Sequence, residues 1–230
     1  MYSPPFSFVS FNGDTGYSLP VREWGDVSFQ VHGVDGSIVQ VDLLSGEGNV
    51  LETSTNGIVS IADGVYLIVP MFQAVPDCFR LKLTSNDDEV AVSNLFHRDT
   101  SEHTLRVTYM CEGGEFGFAY TSTKVLNRVR LPILLKNPQY PQEDSIYKKF
   151  SGRRVVLGAT IDKEWQLETD YLSDELHSKL LVALSHDGLW IDGKVYTKAG
   201  DYSIDWGSTL MSALIFTSEK TRWGLWKYIT

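Results

Sequence analysis

Cysteines are scarce in this sequence, and their spacing does not fit a zinc motif. The 230 residues contain two cysteines, Cys78 and Cys111, and neither belongs to a CxxC pair or lies near a histidine cluster. A zinc site needs about four clustered ligands, so no metal site is predicted. Both thiols are expected to be free and buried rather than joined in a disulfide.

Long apolar runs and an excess of positive charge are also lacking. The segment GVYLIVPMF, residues 64–72, is much shorter than the ~20 residues of a membrane-spanning helix. The N-terminal MYSPPFSFVSFNG has neither a basic nor a continuous apolar region, so no signal peptide is predicted. The formal net charge is −9, whereas a general nucleic-acid binder needs a basic face. We therefore expect a soluble protein with no membrane segment and no nucleic-acid specificity.

Catalytic motifs are missing as well. The chain has no GxxxxGK or GxGxxG phosphate loop, and no cofactor is predicted. One face of a predicted strand carries the acidic residues Asp162, Glu164 and Glu168. Side chains at positions i and i+2 of a strand are roughly 6.6 Å apart. This spacing is compatible with the two carboxyls of an inverting glycosidase. No feature marks any of these carboxyls as desolvated. A solvated strand face is the favoured interpretation, and no catalytic residue is predicted.

The histidines and the loop at residues 11–16 do not predict a metal site either. The loop FNGDTG lacks the later acidic ligands of an EF-hand, which favours a turn over an isolated calcium ion. Ser185, His186 and Asp187 are adjacent in sequence, whereas a catalytic triad converges in space. Surface positions are predicted for the histidines His97, His103, His177 and His186.

Short β-rich runs and turn pairs dominate the first half of the chain. The pairs Asp35-Gly36, Asn56-Gly57 and Asp63-Gly64 are typical of tight hairpins. No stretch there has a sustained 3.6-residue period. Many short strands at this spacing predict a mainly β fold, with an N-terminal β-sandwich or jelly-roll-like domain over residues 1–121.

The second half predicts a smaller α+β domain over residues 153–230. Residues 153–169 alternate between apolar and polar or acidic side chains, which is typical of one long strand with an apolar inner face. An extended arm or linker over residues 122–152 joins the two predicted domains.

One helix is predicted near residues 173–187. Ser173 is a suitable N-cap, and Gly188 is suitable as a stop. The apolar stripe of this helix comprises Leu176, Leu180, Leu181 and Leu184.

The arm contains RLPILLKNPQYPQED at residues 130–144. Its first half is apolar, whereas Pro138, Tyr140 and Pro141 stand among polar residues. Proline cannot donate to a sheet ladder. A proline-rich segment is also pre-extended, so it loses little conformational entropy when it lies across a neighbour. We predict that the arm becomes ordered on assembly.

Aromatic residues recur near the C-terminus in TRWGLWKYIT, residues 221–230. Trp223 and Trp226, together with flanking cations, have the composition of a protein interface. A sugar-stacking platform is the other interpretation of the tryptophans, because aromatic rings stack on apolar pyranose faces.

The stretch from Arg130 to Asp187 resembles a recurrent segment of structural proteins of tailed phages that infect Bacteroidetes. In it, RLPILLKNPQYP and SIY precede KEWQLETDYL and HSKLLVALSHD. The upstream CFRLKL, SNLFHR and YMCEGGEFGFAY are of the same type, so the resemblance covers about residues 75–195. Within this group the chain is most similar to a tail-hub or tail-ring component of crAss-like phages.

The resemblance implies a non-enzymatic virion protein of the tail that is assembled in the host cytoplasm. It also implies several copies in a ring, in contact with other phage tail proteins. In that setting, Arg130, Tyr140 and Tyr147 are expected to anchor the arm on a neighbour. The full set of predicted interface residues is Arg130, Pro138, Tyr140, Pro141, Tyr147, Trp223 and Trp226.

The alternative function is a carbohydrate-binding module, or a receptor-binding tail protein with a glycan receptor as its partner. A structural component is expected to elute as a ring or dimer and to ignore glycans. A lectin is expected to bind a glycan array as a monomer.

Overall fold

The computed structural model describes residues 1–2, 4, 7–12, 17–110, 126–169, 172–186, 188–198 and 211–221. Strands dominate these residues, and they include a single α-helix. The predicted mainly β fold with one helix is therefore confirmed. No helix in the described ranges has both the length and the hydropathy of a membrane span.

The described strands form three sheets. The six-stranded sheet has the order β1-β9-β7-β3-β4, with β8 also paired to β7. Its strands are β1 (Leu19–Val21), β3 (Ile38–Ser45), β4 (Val50–Ser54), β7 (Cys78–Ser85), β8 (Val90–Val92) and β9 (Phe96–Arg98). The three-stranded sheet has the order β2-β6-β5 and consists of β2 (Phe29–Val31), β5 (Ile58–Ala62) and β6 (Val65–Ile68).

The eight-stranded sheet is formed by the strands after residue 104. They are β10 (Leu105–Met110), β11 (Asn127–Leu131), β12 (Ile133–Gln139), β13 (Gln142–Lys148), β14 (Arg154–Thr169), β15 (Gly188–Ile191), β16 (Lys194–Lys198) and β17 (Met211–Thr221). Their order is β11-β10-β15-β16-β17-β14-β12, with β13 also paired to β14. Because β10 lies between β11 and β15, this sheet joins strands from both sides of the predicted boundary at residue 121. The division into domains stays a prediction.

Of the three predicted turn pairs, Asp63-Gly64 joins two strands that pair with each other, β5 and β6, whereas the other two pairs connect strands of different sheets. Gly36, Gly57 and Gly64 have φ angles of 75°, 77° and 64°. At Gly57 a Cβ atom would lie 1.9 Å from the Val69 carbonyl oxygen, so only glycine fits there. Asp192 and Gly193 both have positive φ in the β15–β16 hairpin, as a type I′ turn requires.

The helix α1 spans Asp174–Leu184. The Ser173 side chain accepts a hydrogen bond from the Leu176 N–H, which confirms the predicted N-cap. The helix ends at Leu184, earlier than predicted, and Gly188 begins β15 instead of capping the helix. Leu181 is 37 % exposed, so the buried stripe is narrower than predicted.

His177 and His186 are buried, and their predicted surface positions are wrong. His177 lies three and seven positions before Leu180 and Leu184, so it shares their inward face. The His186 Nδ1–H donates to the Val182 carbonyl (2.8 Å), and its ring packs edge-on against Tyr109.

One core connects the sheets and the helix. Phe79 and Phe96 stack at 5.1 Å within the six-stranded sheet. Ile68, Leu131 and Leu180 come from the other two sheets and the helix, and they belong to the same buried cluster. Helix α1 therefore packs on a core that both parts of the chain supply.

Cys78 is exposed, which corrects the prediction that it is buried. It begins β7, in which the inward parity starts at Phe79. Cys111 and most of the candidate calcium loop (residues 13–16) lie outside the described residues.

Candidate functional site: a ribbon with apolar and basic side chains

The predicted arm forms two strands that pair with β14. β12 pairs with residues 164–169 of β14, and β13 pairs with residues 154–161. Pro138 lies where the β12 register shifts between Lys136 and Gln139, and Pro141 lies between the two strands. Neither proline therefore occupies a position where a backbone N–H must donate to the neighbouring strand. The arm is thus a paired element of this chain and not the free segment that its prolines predicted.

The β13–β14 hairpin continues beyond the rest of the sheet. β17 pairs with β14 from Ile161 onward. Among the described strands, residues 154–160 therefore have β13 on one edge and no partner on the other. We call residues 142–160 the ribbon. β13 has seven residues, which corresponds to a length of about 24 Å.

The ribbon carries apolar side chains that are in contact with water. Those more than half exposed are Ile146 (53 %), Tyr147 (55 %), Phe150 (110 %), Val156 (55 %) and Leu157 (59 %). Ile146 and Tyr147 are consecutive, so they point to opposite faces of the ribbon. Apolar groups are thus present on both faces.

The predicted apolar inner face of β14 is confirmed only near its C-terminal end. Leu167 is fully buried, whereas Leu157 is exposed. The register shifts between Ser145 and Ile146, which leaves Leu157 as an extra residue opposite the shift. A bulge of this kind disrupts the ladder and redirects side chains.

The turn of the ribbon is basic. Four cations lie within seven residues there, namely Lys148, Lys149, Arg153 and Arg154. No ion pair joins any of them to a described carboxylate. The Lys149 N–H donates to the Arg153 carbonyl (2.8 Å), which closes the turn with Phe150 at its apex. This cluster was not predicted, although the segment KKFSGRR is a cationic run in an acidic chain.

Arg130 is buried, which corrects its assignment as an exposed interface anchor. Its Nε and Nη2 atoms donate to the two carboxylate oxygens of Asp26 at 2.8 and 3.0 Å. Its Nη1 donates to the Thr104 carbonyl (2.9 Å). Burial raises the pKa of Asp26, but hydrogen bonds from Arg130 and from the Arg22 N–H outweigh it, so this pKa lies below its ordinary value. The guanidinium is thus occupied within the chain.

The remaining predicted interface residues divide into two groups. Tyr140 (61 % exposed) lies at the base of the ribbon, and Tyr147 lies on it. The Lys163 ammonium is 5.8 Å from the Tyr140 ring and 4.6 Å from the Trp165 ring. Trp223 and Trp226 lie outside the described residues.

An apolar groove lies on another part of the surface. We call it the Trp24 groove; its volume is about 520 Å³, and its lining includes Trp24, Glu52 and residues 69–73. The Trp24 ring packs edge-on against Phe72 and Phe79, at 5.2 and 5.1 Å, which fixes one wall. Met71 is 58 % exposed there.

Two carboxylates accompany this groove. The Glu52 carboxylate accepts a hydrogen bond from the Gln73 N–H (3.2 Å). Glu23 precedes Trp24, but its carboxylate is already paired with the Arg106 guanidinium at 3.4 Å. The negative charge of the groove lining is therefore that of Glu52.

A second cavity, of about 420 Å³, lies beside the N-terminus of α1. Its lining includes both His97 and His103, together with Asp99. His97 Nδ1 lies 2.9 Å from the Ser18 hydroxyl. Burial lowers the pKa of His97, and the neighbouring Asp99 opposes this in part. Asp99 already accepts hydrogen bonds from Arg22 and Thr104. In the described ranges, no group of three or more potential ligands can hold a metal ion.

The acidic row on β14 is partly neutralised. Glu168 forms an ion pair with Lys136 across the β12–β14 ladder. Glu164 lies opposite Gln139 and is half-buried. The Asp162 side chain lies outside the described part of the chain, so the non-catalytic interpretation of this row stays a prediction.

No protein-family model, curated protein or solved structure matches the chain.

Proposed function

We propose that this chain is a non-enzymatic structural component of a phage tail, of the hub, ring or baseplate type. In this role it docks on copies of itself and on other tail proteins through the ribbon. The observation that carries the proposal is the exposure of five apolar ribbon side chains next to four cations.

Physical chemistry supports a docking role for the ribbon. A two-stranded hairpin is marginally stable in water by itself. Its apolar groups are exposed on both faces, and exposed apolar patches mark interaction sites. A partner that covers the ribbon would remove this surface from water and would also restrict its motion. Tyr, Phe and Arg, three of its residue types, are enriched at protein interfaces.

The tail setting rests on the resemblance carried by residues 130–187. Virion components are made and assembled in the host cytoplasm, which is the proposed location. Docking also requires no catalytic group, in accord with the pairing of Glu168 with Lys136.

Analysis of purified particles tests this function. Mass spectrometry of tailed particles from cells that produce the protein is expected to detect it in a fixed ratio to the other tail proteins. Its absence from such particles would contradict the proposal. If the isolated chain instead bound a glycan array as a monomer, the carbohydrate-binding alternative would replace it.

A further inference from the structure

The ribbon and the Trp24 groove have complementary chemistry. The ribbon turn presents Phe150 between cations, whereas the groove presents apolar walls beside the Glu52 carboxylate. Pockets of about 300–1,000 Å³ accommodate small ligands, so a groove of about 520 Å³ accommodates an aromatic side chain. Phe150 is fully exposed, which shows that it does not occupy the groove of its own chain.

Charge favours an acidic protein as the occupant. The ribbon contains four cations and two acidic residues, Glu143 and Asp144, so its formal charge is +2 and that of the rest of the chain is −11. The ribbon is thus a basic element on an otherwise strongly acidic molecule. A second copy of the chain attracts it both locally, at the groove, and through its overall field.

The distribution of apolar groups also favours a protein. They extend from Tyr140 at the ribbon base to Phe150 at its turn. A lipid surface would bury only the turn, and nucleic acid would engage the cations but leave most of the apolar side chains in water. A protein surface can cover the ribbon along its length and can pair with the edge of residues 154–160, which has no partner among the described strands.

We propose that the ribbon of one copy seats Phe150 in the Trp24 groove of a second copy, with the ribbon cations facing Glu52. This contact rests on the proposed function and names the partner surface that the ribbon uses. Ribbon and groove are different surfaces, so the contact is head-to-tail. Such contacts close into a ring when the rotation between copies allows it.

Two full-length variants test the contact. Phe150→Asp removes the aromatic group from the ribbon, and Met71→Lys places a cation in the groove. Both side chains are exposed in the wild-type chain, so neither change is expected to impair folding. Each variant alone is expected to self-associate at least about tenfold more weakly than the wild type, as for loss of an interface hot spot. A matched control is Val195→Asp, at an exposed position on the β15–β16 hairpin, which should associate like the wild type.

Mixing the two variants gives the sharpest outcome. The Phe150→Asp chain keeps a functional groove, and the Met71→Lys chain keeps a functional ribbon. Together they should form a 1:1 dimer that cannot grow further, whereas the wild type forms larger species. Sedimentation velocity over a range of concentrations compares the wild type, the two variants, the mixture and the Val195→Asp control.

Three results would overturn the contact. The first is that either variant associates as strongly as the wild type. The second is that the mixture stays monomeric while the wild type associates. The third is that the wild type is monomeric even at about 1 mM, a concentration at which weak contacts become populated. Binding of the ribbon to anionic vesicles or duplex DNA without self-association would assign it to another partner and would also overturn the contact. A chain that is monomeric but present in particles would refute this contact alone. A chain that associates but is absent from particles would refute the tail function alone.

Discussion

Asp26 and Arg130 are 104 positions apart in the chain, and their ion pair lies in the interior. Asp26 belongs to a short 3-10 helix after β1, and Arg130 lies on β11. The pair therefore links the region of the six-stranded sheet to the eight-stranded sheet. A buried charge that loses its hydrogen-bonded partner is strongly destabilising, because its desolvation is no longer compensated. The Arg106 guanidinium, 3.9 Å from Asp26 Oδ1, is beyond hydrogen-bond distance and compensates Asp26 less than Arg130 does.

We predict that Arg130→Met lowers the free energy of unfolding by about 3–5 kcal/mol. The double variant Asp26→Leu/Arg130→Met should be less destabilised than the sum of the single variants, since it leaves no unpaired charge. Urea denaturation measures both. Arg128→Met is the control on the same strand, where Arg128 is only half-buried. A loss below ~1 kcal/mol for Arg130→Met would mean that the pair does not stabilise the fold.

His177 introduces a pH dependence. Burial lowers the pKa of His177, and Asp174 opposes this only in part. In the unfolded chain this histidine titrates at about 6.5. The pKa of His177 is lower in the folded chain than in the unfolded chain. The stability that neutral His177 contributes is therefore complete above pH ~6.5, and it is lost as the pH falls through the pKa of the folded chain.

Unfolding free energies measured at pH 7.5 and 5.5 should therefore differ less in His177→Leu than in the wild type. His103→Leu is the control, because His103 is exposed. An unchanged pH dependence in His177→Leu would refute the assignment.

At the scale of elements, local sequence rules accounted for one hairpin turn and for the helix start. The Asp63-Gly64 hairpin and the Ser173 cap depend on their own backbone neighbours, and the structure has both as predicted. The ribbon could not be predicted in the same way. Leu157 is buried only if other strands cover that part of β14. Which strands cover β14 is determined by residues that are distant in sequence. The prolines of the arm suggested a free segment, but a register shift and a break between strands accommodate them.

The helix cap gives a direct stability test. Ser173→Ala removes the side-chain oxygen that accepts from the Leu176 N–H, and we expect a loss of about 1 kcal/mol. Ser178→Ala, on the exposed side of the same helix, should be neutral or slightly stabilising, because alanine is the better helix former. Thermal denaturation compares the two variants. Equal effects would show that the cap contributes nothing specific.

The ribbon is expected to open more often than the body of the sheets. β13 has one partner strand and exposed side chains, whereas β7 lies inside the six-stranded sheet with a buried face. Hydrogen exchange followed by mass spectrometry should show faster exchange in β13 than in β7 for the isolated chain. Equally slow exchange in the two strands would contradict the view that the ribbon lacks a stabilising neighbour.

At the scale of the whole molecule, the mainly β class followed from turn spacing and from alternation. The sheet order did not, because β10 pairs with β15 across about eighty residues of chain, and such long-range pairing leaves no local pattern. The predicted interface residues stay a prediction: Tyr140 and Tyr147 are exposed, whereas Arg130 is internal. The Trp24 groove could not be predicted, because it arises only when Trp24 and residues 69–73 come together.

The central claim is that the ribbon is an interface in an assembled tail. A reconstruction of a particle that contains the protein tests it most directly. The account predicts a closed array of contacting copies in which residues 142–160 are buried against a neighbouring chain. A map with single, non-contacting copies, and with the ribbon free in solvent, would contradict it.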